Sequence, residues 1–382
     1  MIVPHVLLNK SLELLMNSSQ SLLIFPHMPK TGGDTFNRIL VRYYRGWRDM
    51  QFGDSRAAIA RLRDMTVEEE NFIDCIRGHG VFFGLHHYFH RPASYVAFVR
   101  DPVDRVISQY YFYKHNPNTY LYREIHENGF TLDQFAGVKP NVQLRFCLGY
   151  DHLAGKPVEA NDFRDAIEIV ESNFAFLGVL DNYIESQYLV QKALKWNRLM
   201  YFRRTNTGEH RPSVHDVPQA SRDVIAKANS FDAKLHQYAL GKVREKIEQL
   251  SSGERAELET YKERNKIFQT ACDRFDETIS IEVIQTLLEI GLDSITIYYD
   301  PGALPPALSE VIEYLGSVGI AAKLKLLERT GKVSNVFPSS IGNEKILAFP
   351  TKGRDAFMRG ELMEMAINPD RVVFGTVPEV VS

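Results

Sequence analysis

The sequence predicts an α/β protein in which a mostly parallel sheet is flanked by helices, followed by a smaller C-terminal α/β domain. Short apolar stretches alternate with segments of helical spacing, the pattern of strands that are linked by helices. This pattern changes near residue 266, so we predict a first domain over residues 1–265 and a second over 266–382. A hydrophobic content of 44% in 382 residues is sufficient for two packed cores.

In the first domain, apolar runs predict strands and 3.6-residue spacing predicts helices. Pro102 suits the first turn of one helix, and Asp101 before it suits the N-cap. The predicted strands cover residues 21–28, 72–77, 95–99 and 174–180, and the predicted helices cover 35–46, 103–114, 182–194 and much of 218–266.

The second domain repeats the alternation on a smaller scale. Its predicted strands cover residues 294–299, 321–327, 345–349 and 371–374, and its predicted helices cover 306–318 and 357–366. The sequence leaves three roles open for this domain: holding an acceptor, forming a homo-oligomer, or binding another protein.

Composition argues against several classes of protein. A net charge of −3 gives no support for binding to nucleic acid or to a membrane surface. The three cysteines, Cys75, Cys147 and Cys272, form no C-x-x-C pair, which argues against a disulfide framework and a zinc site. No apolar run reaches the ~18 residues of a membrane span, and the N-terminus lacks the pattern of a signal peptide. We therefore expect a cytoplasmic protein.

A P-loop-like segment lies between the first strand and the first helix. Exposed N–H groups and the helix dipole make such a turn an anion site, and glycines let the backbone approach a phosphate closely. A Walker A loop places its lysine after the glycines, whereas here the lysine precedes them. An ordinary strand-to-helix turn is the alternative. The segment reads Pro29-Lys30-Thr31-Gly32-Gly33-Asp34-Thr35.

A second candidate phosphate element follows the strand at residues 95–99. Arg100 ends this strand and offers a planar fork for phosphate oxygens. Ser108 lies about two helical turns further on and can reach the same side. The alternative is a salt bridge between Arg100 and Asp104, with Ser108 as filler.

These two elements together resemble the PAPS-dependent sulfotransferase family, where PAPS is 3′-phosphoadenylyl sulfate. The family's P-K-T-G-G-T-[ST] loop binds the 5′-phosphosulfate, and its R-D-P-x-x-R-x-x-S-x-Y-Y segment binds the 3′-phosphate. The resemblance covers about residues 20–240 and implies PAPS as the sulfuryl donor. Asp34 departs from the usual Thr, so it is either a ligand or a helix cap. The implied donor-binding residues are Lys30, Thr31, Gly32, Gly33, Asp34, Thr35, Arg100 and Ser108.

A general base must remove a proton from an acceptor hydroxyl, and histidine suits this task. His79 follows the strand at residues 72–77, and strand ends are where open α/β sheets build their sites. Its Gly-His context resembles the carbohydrate branch of the family, particularly the uronyl 2-O-sulfotransferases. We therefore predict His79 as the base, with His86 or His87 as alternatives, and Lys30 as the group that stabilises the departing phosphate. The chemistry requires no metal.

A later basic segment, residues 203–212, is similar to the family's loop that closes over the nucleotide. The resemblance implies donor contacts from Asn206, Thr207 and Arg211, and a solvated loop is the alternative.

The sequence thus favours a sulfotransferase that acts on a hydroxyl of a carbohydrate or glycoconjugate. Two other classes stay open. A nucleotide-dependent kinase on a related fold would need ATP and Mg²⁺, whereas a non-catalytic nucleotide-binding module would bind the nucleotide without turnover.

Overall fold

The computed structural model describes residues 21–44, 49–149, 157–204, 211–274 and 285, together with four strands in residues 295–374. The chain divides into two compact units, Met1–Trp196 with Thr205–Arg255, and Asn197–Arg204 with Ala256–Ser382. This division falls after Arg255, earlier than the predicted boundary after residue 265. The roles assigned to the two domains remain predictions.

The first unit is built on a parallel five-stranded sheet. Its strand order is β2-β3-β1-β4-β5, and every neighbouring pair is parallel. The strands are β1 Leu22–Pro26, β2 Asp49–Gln51, β3 Cys75–Gly78, β4 Ala93–Val99 and β5 Phe174–Val179. The predicted α/β class is confirmed, as are the four longer strands.

Helices flank this sheet. They are α1 Gly33–Tyr44, α2 Ser55–Arg63, α3 Val67–Glu70, α4 Pro102–His115, α5 Tyr122–Glu127, α6 Leu132–Val138, α7 Val142–Leu148, α8 Ala160–Asn173, α9 Tyr183–Ala193, α10 Gln219–Ala228 and α11 Ser230–Glu248. A final helix, α12 Ser252–Arg274, continues into the second unit. Short 3₁₀ turns cover Leu85–Tyr88 and Val214–Asp216.

Strand β1 lies at the centre of the sheet and is buried on both faces. All five of its residues are buried, as expected of a central parallel strand covered by helices. Helix α4 begins as the sequence predicts, with Pro102 in its first turn and the Asp101 side chain accepting from the Asp104 N–H. Strand β2 has only three residues, two of them polar, so no apolar run predicts it.

The topology creates a crevice at the carboxyl end of β1. This strand lies between β3 and β4. Strands β2 and β3 lie on one side of it and β4 and β5 on the other, so the order of the strands reverses direction here. Open parallel sheets bind ligands at such a switch point. The segments that follow β1, β3 and β4 therefore meet at one edge of the sheet.

The predicted helical region 218–266 is divided into three helices. Asn229 ends α10, and its buried side chain accepts from the N–H of Asn141. A second break lies between α11 and α12, where Ser251 Oγ accepts from the Glu254 N–H. At the first break Asn141 Oδ1 accepts from the N–H groups of Phe231 and Asp232, so polar side chains at both breaks satisfy N–H groups that a continuous helix would have used internally.

In the second unit, a parallel sheet has the order β7-β6-β8-β9. Its strands are β6 Ile295–Tyr299, β7 Ala322–Leu326, β8 Lys345–Phe349 and β9 Val372–Phe374, as the sequence predicted. The predicted helices over 306–318 and 357–366 lie outside the described residues.

Three findings bear on the expectations from composition. No helix among the described residues is long and apolar enough to cross a membrane. Cys75, Cys147 and Cys272 are all buried, and none of them is in a disulfide bond. Within those same ranges, no group of three or more His, Cys, Asp or Glu side chains is arranged to hold a metal ion.

Candidate functional site

The loop after β1 is held in an unusual backbone conformation. Lys30 has a φ of 66°, in the left-handed region, which costs an L-residue about 1–2 kcal/mol. Gly32 has a φ of 85°, and a Cβ at this position would lie 2.8 Å from Leu180 Cδ1. The Tyr183 hydroxyl donates to the Gly32 carbonyl at 2.8 Å. The loop is therefore fixed from the end of β5 as well as from β1.

Because Gly33 has no side chain, the buried His27 ring can pack against it. His27 was not predicted as a site residue. A Cβ on Gly33 would lie 2.0 Å from His27 Cδ2. The Asn37 amide lies 2.9 Å from His27 Nδ1, which accepts from it if the ring is neutral. Burial, followed by the charge of His79, lowers the pKa of His27 to about 3. His27 is thus a neutral part of the floor of the loop.

The remaining loop side chains divide into internal and outward groups. Thr31 is buried, and its hydroxyl donates to the Met28 carbonyl at 3.0 Å. Thr35 is also buried. Asp34 is half exposed and lies in the first turn of α1 at 3.7 Å from His27 Nε2. Because α1 begins at Gly33, Asp34 is not the helix cap that the sequence allowed, although a carboxylate there still suits the helix dipole.

His79 lies at the end of β3, beside the start of the loop. Its Nδ1 is 2.7 Å from the His27 carbonyl oxygen, and the two imidazole rings stack with centroids 4.1 Å apart. A carbonyl can only accept, so Nδ1 carries the proton and Nε2 is left as the basic nitrogen. The His79 residue is exposed. Its Nε2 is thus suited to take a proton.

The glycines on either side of His79 allow a close approach to the chain after β2. A Cβ on Gly78 would lie 2.1 Å from the Phe52 carbonyl oxygen, and one on Gly80 would lie 2.4 Å from the Asp54 carbonyl carbon. Close packing against the chain after β2 therefore requires glycine on both sides of His79.

Arg100 joins the second element to the first. Its Nη1 donates to the Lys30 carbonyl at 3.0 Å. Buried Gln143 accepts from the Arg100 N–H at 2.8 Å and donates to the Arg100 carbonyl at 2.9 Å. The end of β4 is therefore held on both sides of its peptide backbone, and the Arg100 guanidinium is aimed at the loop after β1.

Asp104 connects two of the predicted basic contacts. Its Oδ2 accepts from Arg100 Nε at 2.8 Å and from Nη2 at 2.5 Å. Its Oδ1 accepts from Arg211 Nη1. The salt bridge considered as an alternative for Arg100 is therefore present, and Arg211 from the later basic segment reaches the same carboxylate. Asn206 and Thr207, also predicted in that segment, lie outside the described residues.

One row of α4 faces these elements. Asp104, Ser108 and Phe112 are each four residues apart and so share one side of the helix. Asp104 contacts Arg100, and the Lys30 Nζ lies 4.6 Å from the centroid of the Phe112 ring. Ser108 lies between them on this row and is 8% exposed. Burial lowers the pKa of Lys30.

The other candidate histidines have partners of their own. His86 and His87 lie on the 3₁₀ turn Leu85–Tyr88, and His86 Nδ1 is 2.9 Å from the Tyr95 hydroxyl. Among these three histidines, only His79 has a described contact with the loop after β1.

Four residues that contact predicted site residues were not themselves predicted to belong to the site. They are His27, Phe112, Gln143 and Asp104, the last of which bridges Arg100 to Arg211. The i, i+4 spacing from Arg100 indicated Asp104 as its partner. The spacing of Phe112 from Ser108 also placed it on the same row. For Gln143, 43 residues from Arg100, no spacing in the sequence indicated this contact.

Comparison with known proteins shows the family to which the chain belongs. Residues 13–239 match the model of the sulfotransferase family, which is more than half of the chain. The protein therefore belongs to the sulfotransferase family, whose members transfer a sulfuryl group from a donor to an acceptor. A search of curated proteins found no match.

Proposed function

We propose that this protein transfers the sulfuryl group of PAPS to a hydroxyl group on a carbohydrate or glycoconjugate, with His79 as the general base. The observation that carries the proposal is the hydrogen bond from Arg100 to the Lys30 carbonyl, 3.0 Å long. It joins two anion-binding elements at the ends of adjacent strands β1 and β4. His79 approaches the same loop from β3, on the other side of β1.

The residues present fit a donor with two separate phosphate groups. The loop supplies backbone N–H groups at the N-terminus of α1 for the 5′ end. Arg100 uses three of its five N–H donors on Asp104 and Lys30, which leaves two for a 3′-phosphate. Ser108, on the row between Asp104 and Phe112, adds a hydroxyl donor. One edge of the sheet therefore offers hydrogen-bond donors to both the 5′ end and the 3′-phosphate of the nucleotide.

His79 has the geometry for the proton step. Its Nδ1–H is held by the His27 carbonyl, so Nε2 can accept the proton of the acceptor hydroxyl. As the hydroxyl oxygen forms its bond to sulfur, the bond from sulfur to the bridging phosphate oxygen breaks. The electron pair of that bond leaves with the phosphate of adenosine 3′,5′-bisphosphate, so charge and atoms balance without a further reactant.

Lys30 has the position to stabilise the departing phosphate. Its ammonium group lies 4.6 Å from the centroid of the Phe112 ring, whose side chain is partly exposed. A preorganised cation at the atom where charge develops is an effective electrostatic contribution to catalysis.

The acceptor class rests on the resemblance to the carbohydrate branch. Sulfate transfer from PAPS labelled in its sulfuryl group into a panel of glycans, with tyrosine peptides and small alcohols beside them, tests it. We expect label in a glycan and loss of that label in Lys30→Ala. Labelling of a peptide or a small alcohol alone would overturn the acceptor class, and no labelling of any acceptor by the wild type would contradict the activity.

A further inference from the structure

The end of β5 is packed against the loop after β1. The Leu180 N–H donates to the Val99 carbonyl at 2.9 Å, which continues the pairing of β5 with β4 by one residue. A Cβ on Gly32 would lie 2.8 Å from Leu180 Cδ1, and the Tyr183 hydroxyl donates to the Gly32 carbonyl at 2.8 Å. Asp181 lies in the chain between these two contacts, at the carboxyl edge of the sheet, where open α/β sheets bind ligands.

The Asp181 carboxylate is partly exposed and is held by a histidine of α11. His236 Nε2 lies 2.8 Å from Asp181 Oδ2, and the Asp181 side chain is 44% exposed. A carboxylate only accepts, so His236 Nε2 carries the proton of this hydrogen bond. Within the described ranges, no other side chain forms a hydrogen bond or an ion pair with this carboxylate. Its remaining lone pairs are left for a ligand or for water.

His236 is buried and makes this one polar contact. The residue is 3% exposed, and its Nδ1 has no hydrogen-bond partner among the residues that the structure describes. A buried polar atom without a partner costs free energy, so its presence calls for an explanation. The bond to Asp181 supplies one, because it requires an N–H donor at this place and holds the carboxylate at the edge of the sheet.

Asp181 is a negative group near Arg100, and the two charges attract each other. The hydrogen bond from His236 is the largest cause that lowers the pKa of Asp181, and the attraction to Arg100 is a smaller one. The carboxyl group is therefore ionised at neutral pH and can only accept hydrogen bonds. Because such a group repels a phosphate, the ligand atom that meets Asp181 must be a hydrogen-bond donor.

A nucleotide with a 3′-phosphate has such a donor beside that phosphate. In adenosine 3′,5′-bisphosphate the 2′-hydroxyl is on the carbon next to the one that bears the 3′-phosphate. With the 3′-phosphate on Arg100, as proposed above, the carboxylate near Arg100 lies on the side of the ribose hydroxyl. Carboxylates at the edge of parallel sheets accept from ribose hydroxyls in dinucleotide-binding proteins, so this contact is chemically well matched.

We propose that Asp181 binds the ribose 2′-hydroxyl of the donor nucleotide, and that His236 is a positioning residue that holds the carboxylate for this contact. The 2′-hydroxyl donates to Asp181 Oδ1 while Oδ2 stays bonded to His236. The inference rests on the proposed function, since it assigns a further contact to the same donor. It makes the site selective for a ribonucleotide over a 2′-deoxyribonucleotide.

Two nucleotides that differ only in this hydroxyl test the contact. Calorimetric titration of the full-length protein compares adenosine 3′,5′-bisphosphate with 2′-deoxyadenosine 3′,5′-bisphosphate. We expect the ribonucleotide to bind about tenfold more tightly, the usual effect of one hydrogen bond to a charged group. Equal affinities would overturn this inference and leave the proposed function intact, whereas a failure of both nucleotides to bind would contradict both.

Substitution of Asp181 identifies the group responsible. Because loss of a negative charge near the phosphates strengthens the binding of both nucleotides alike, the ratio of the two dissociation constants is the quantity to compare. This ratio should fall from about ten to about one in Asp181→Ala. It should keep its wild-type value in the control Asp64→Ala, which removes an exposed carboxylate at the C-terminal end of α2. An unchanged ratio in Asp181→Ala would assign the hydroxyl contact to another group.

Two substitutions of His236 separate positioning from packing. His236→Gln keeps an N–H donor for Asp181, whereas His236→Leu keeps none. We expect the ratio to stay near its wild-type value in His236→Gln and to fall to about threefold or less in His236→Leu. A general loss of stability does not move a ratio of two ligands on one protein, so equal ratios in the two variants would remove His236 from this role. If neither variant folds, Asp181→Ala and the wild type still decide the main contact.

Discussion

The Nδ1 atom of His79 lies 2.7 Å from the carbonyl oxygen of His27, the first residue after β1. Because this bond and the stacking of the two rings hold the imidazole, the direction of Nε2 is set by the residue that begins the loop after β1. The proposed donor site and the proposed base are therefore joined directly across β1 and β3.

Replacing His79 tests its assignment as the base. His79→Ala should lower the turnover number by about 10²–10⁴ while leaving the affinity for adenosine 3′,5′-bisphosphate nearly unchanged, because only the proton step is lost. His87→Ala and His86→Ala are matched controls and should retain near-native turnover. Near-native turnover in His79→Ala would show that another group removes the proton.

Ser108 provides a specific test of the 3′-phosphate contact. Ser108→Ala should weaken the binding of adenosine 3′,5′-bisphosphate about tenfold, the usual effect of losing one hydrogen bond to a charged group. Adenosine 5′-phosphate lacks the 3′-phosphate, so its affinity should not change. Calorimetric titration of both nucleotides measures the difference, and an equal loss for both would remove Ser108 from this role.

The pH dependence of transfer should report the charge of Lys30. Burial lowers the pKa of this ammonium group, followed by repulsion from Arg100 and Arg211, with Asp34 opposing. Since the cationic form is the one that stabilises the leaving phosphate, activity should decline with rising pH before an ordinary lysine would lose its proton. Lys30→Arg, if active, should move this decline to higher pH. An unchanged alkaline profile would contradict the assignment.

Two glycine-to-alanine substitutions form a matched pair that tests the packing around His79. A Cβ on Gly80 would lie 2.4 Å from the Asp54 carbonyl carbon, whereas nothing lies within 4 Å of one on Gly53. Gly80→Ala should therefore lower the free energy of unfolding by about 1–3 kcal/mol, and Gly53→Ala should change it by less than about 0.5 kcal/mol. Urea denaturation measures both, and equal effects would mean that the Gly80 contact relaxes without cost.

The sequence predicted the parts of the site that are encoded locally. The apolar run of β4, the cap at Asp101 and Pro102 in the first turn placed Arg100 at a strand end, and the structure agrees. His79 was likewise placed from its position after a strand. In each case a few neighbouring residues carry the information.

Contacts between distant segments were not predictable. Arg211 reaches Asp104 across 107 residues, and Gln143 binds the Arg100 backbone across 43. Neither pair has a spacing that periodicity can detect. Strand β2 was missed for a different reason, since Asp49–Gln51 has no apolar alternation and is held by pairing with β3.

The central claim is that the loop after β1 and Arg100 together bind a nucleotide with a 3′-phosphate. Calorimetric titration of the wild type tests this claim most directly. One titration uses adenosine 3′,5′-bisphosphate in the presence of a metal chelator, and the other uses ATP in the presence of Mg²⁺. We expect the bisphosphate to bind without metal and at least about tenfold more tightly than ATP, since ATP lacks the 3′-phosphate that Arg100 and Ser108 are proposed to bind. Tighter binding of ATP that depends on Mg²⁺ would contradict the account and favour a kinase.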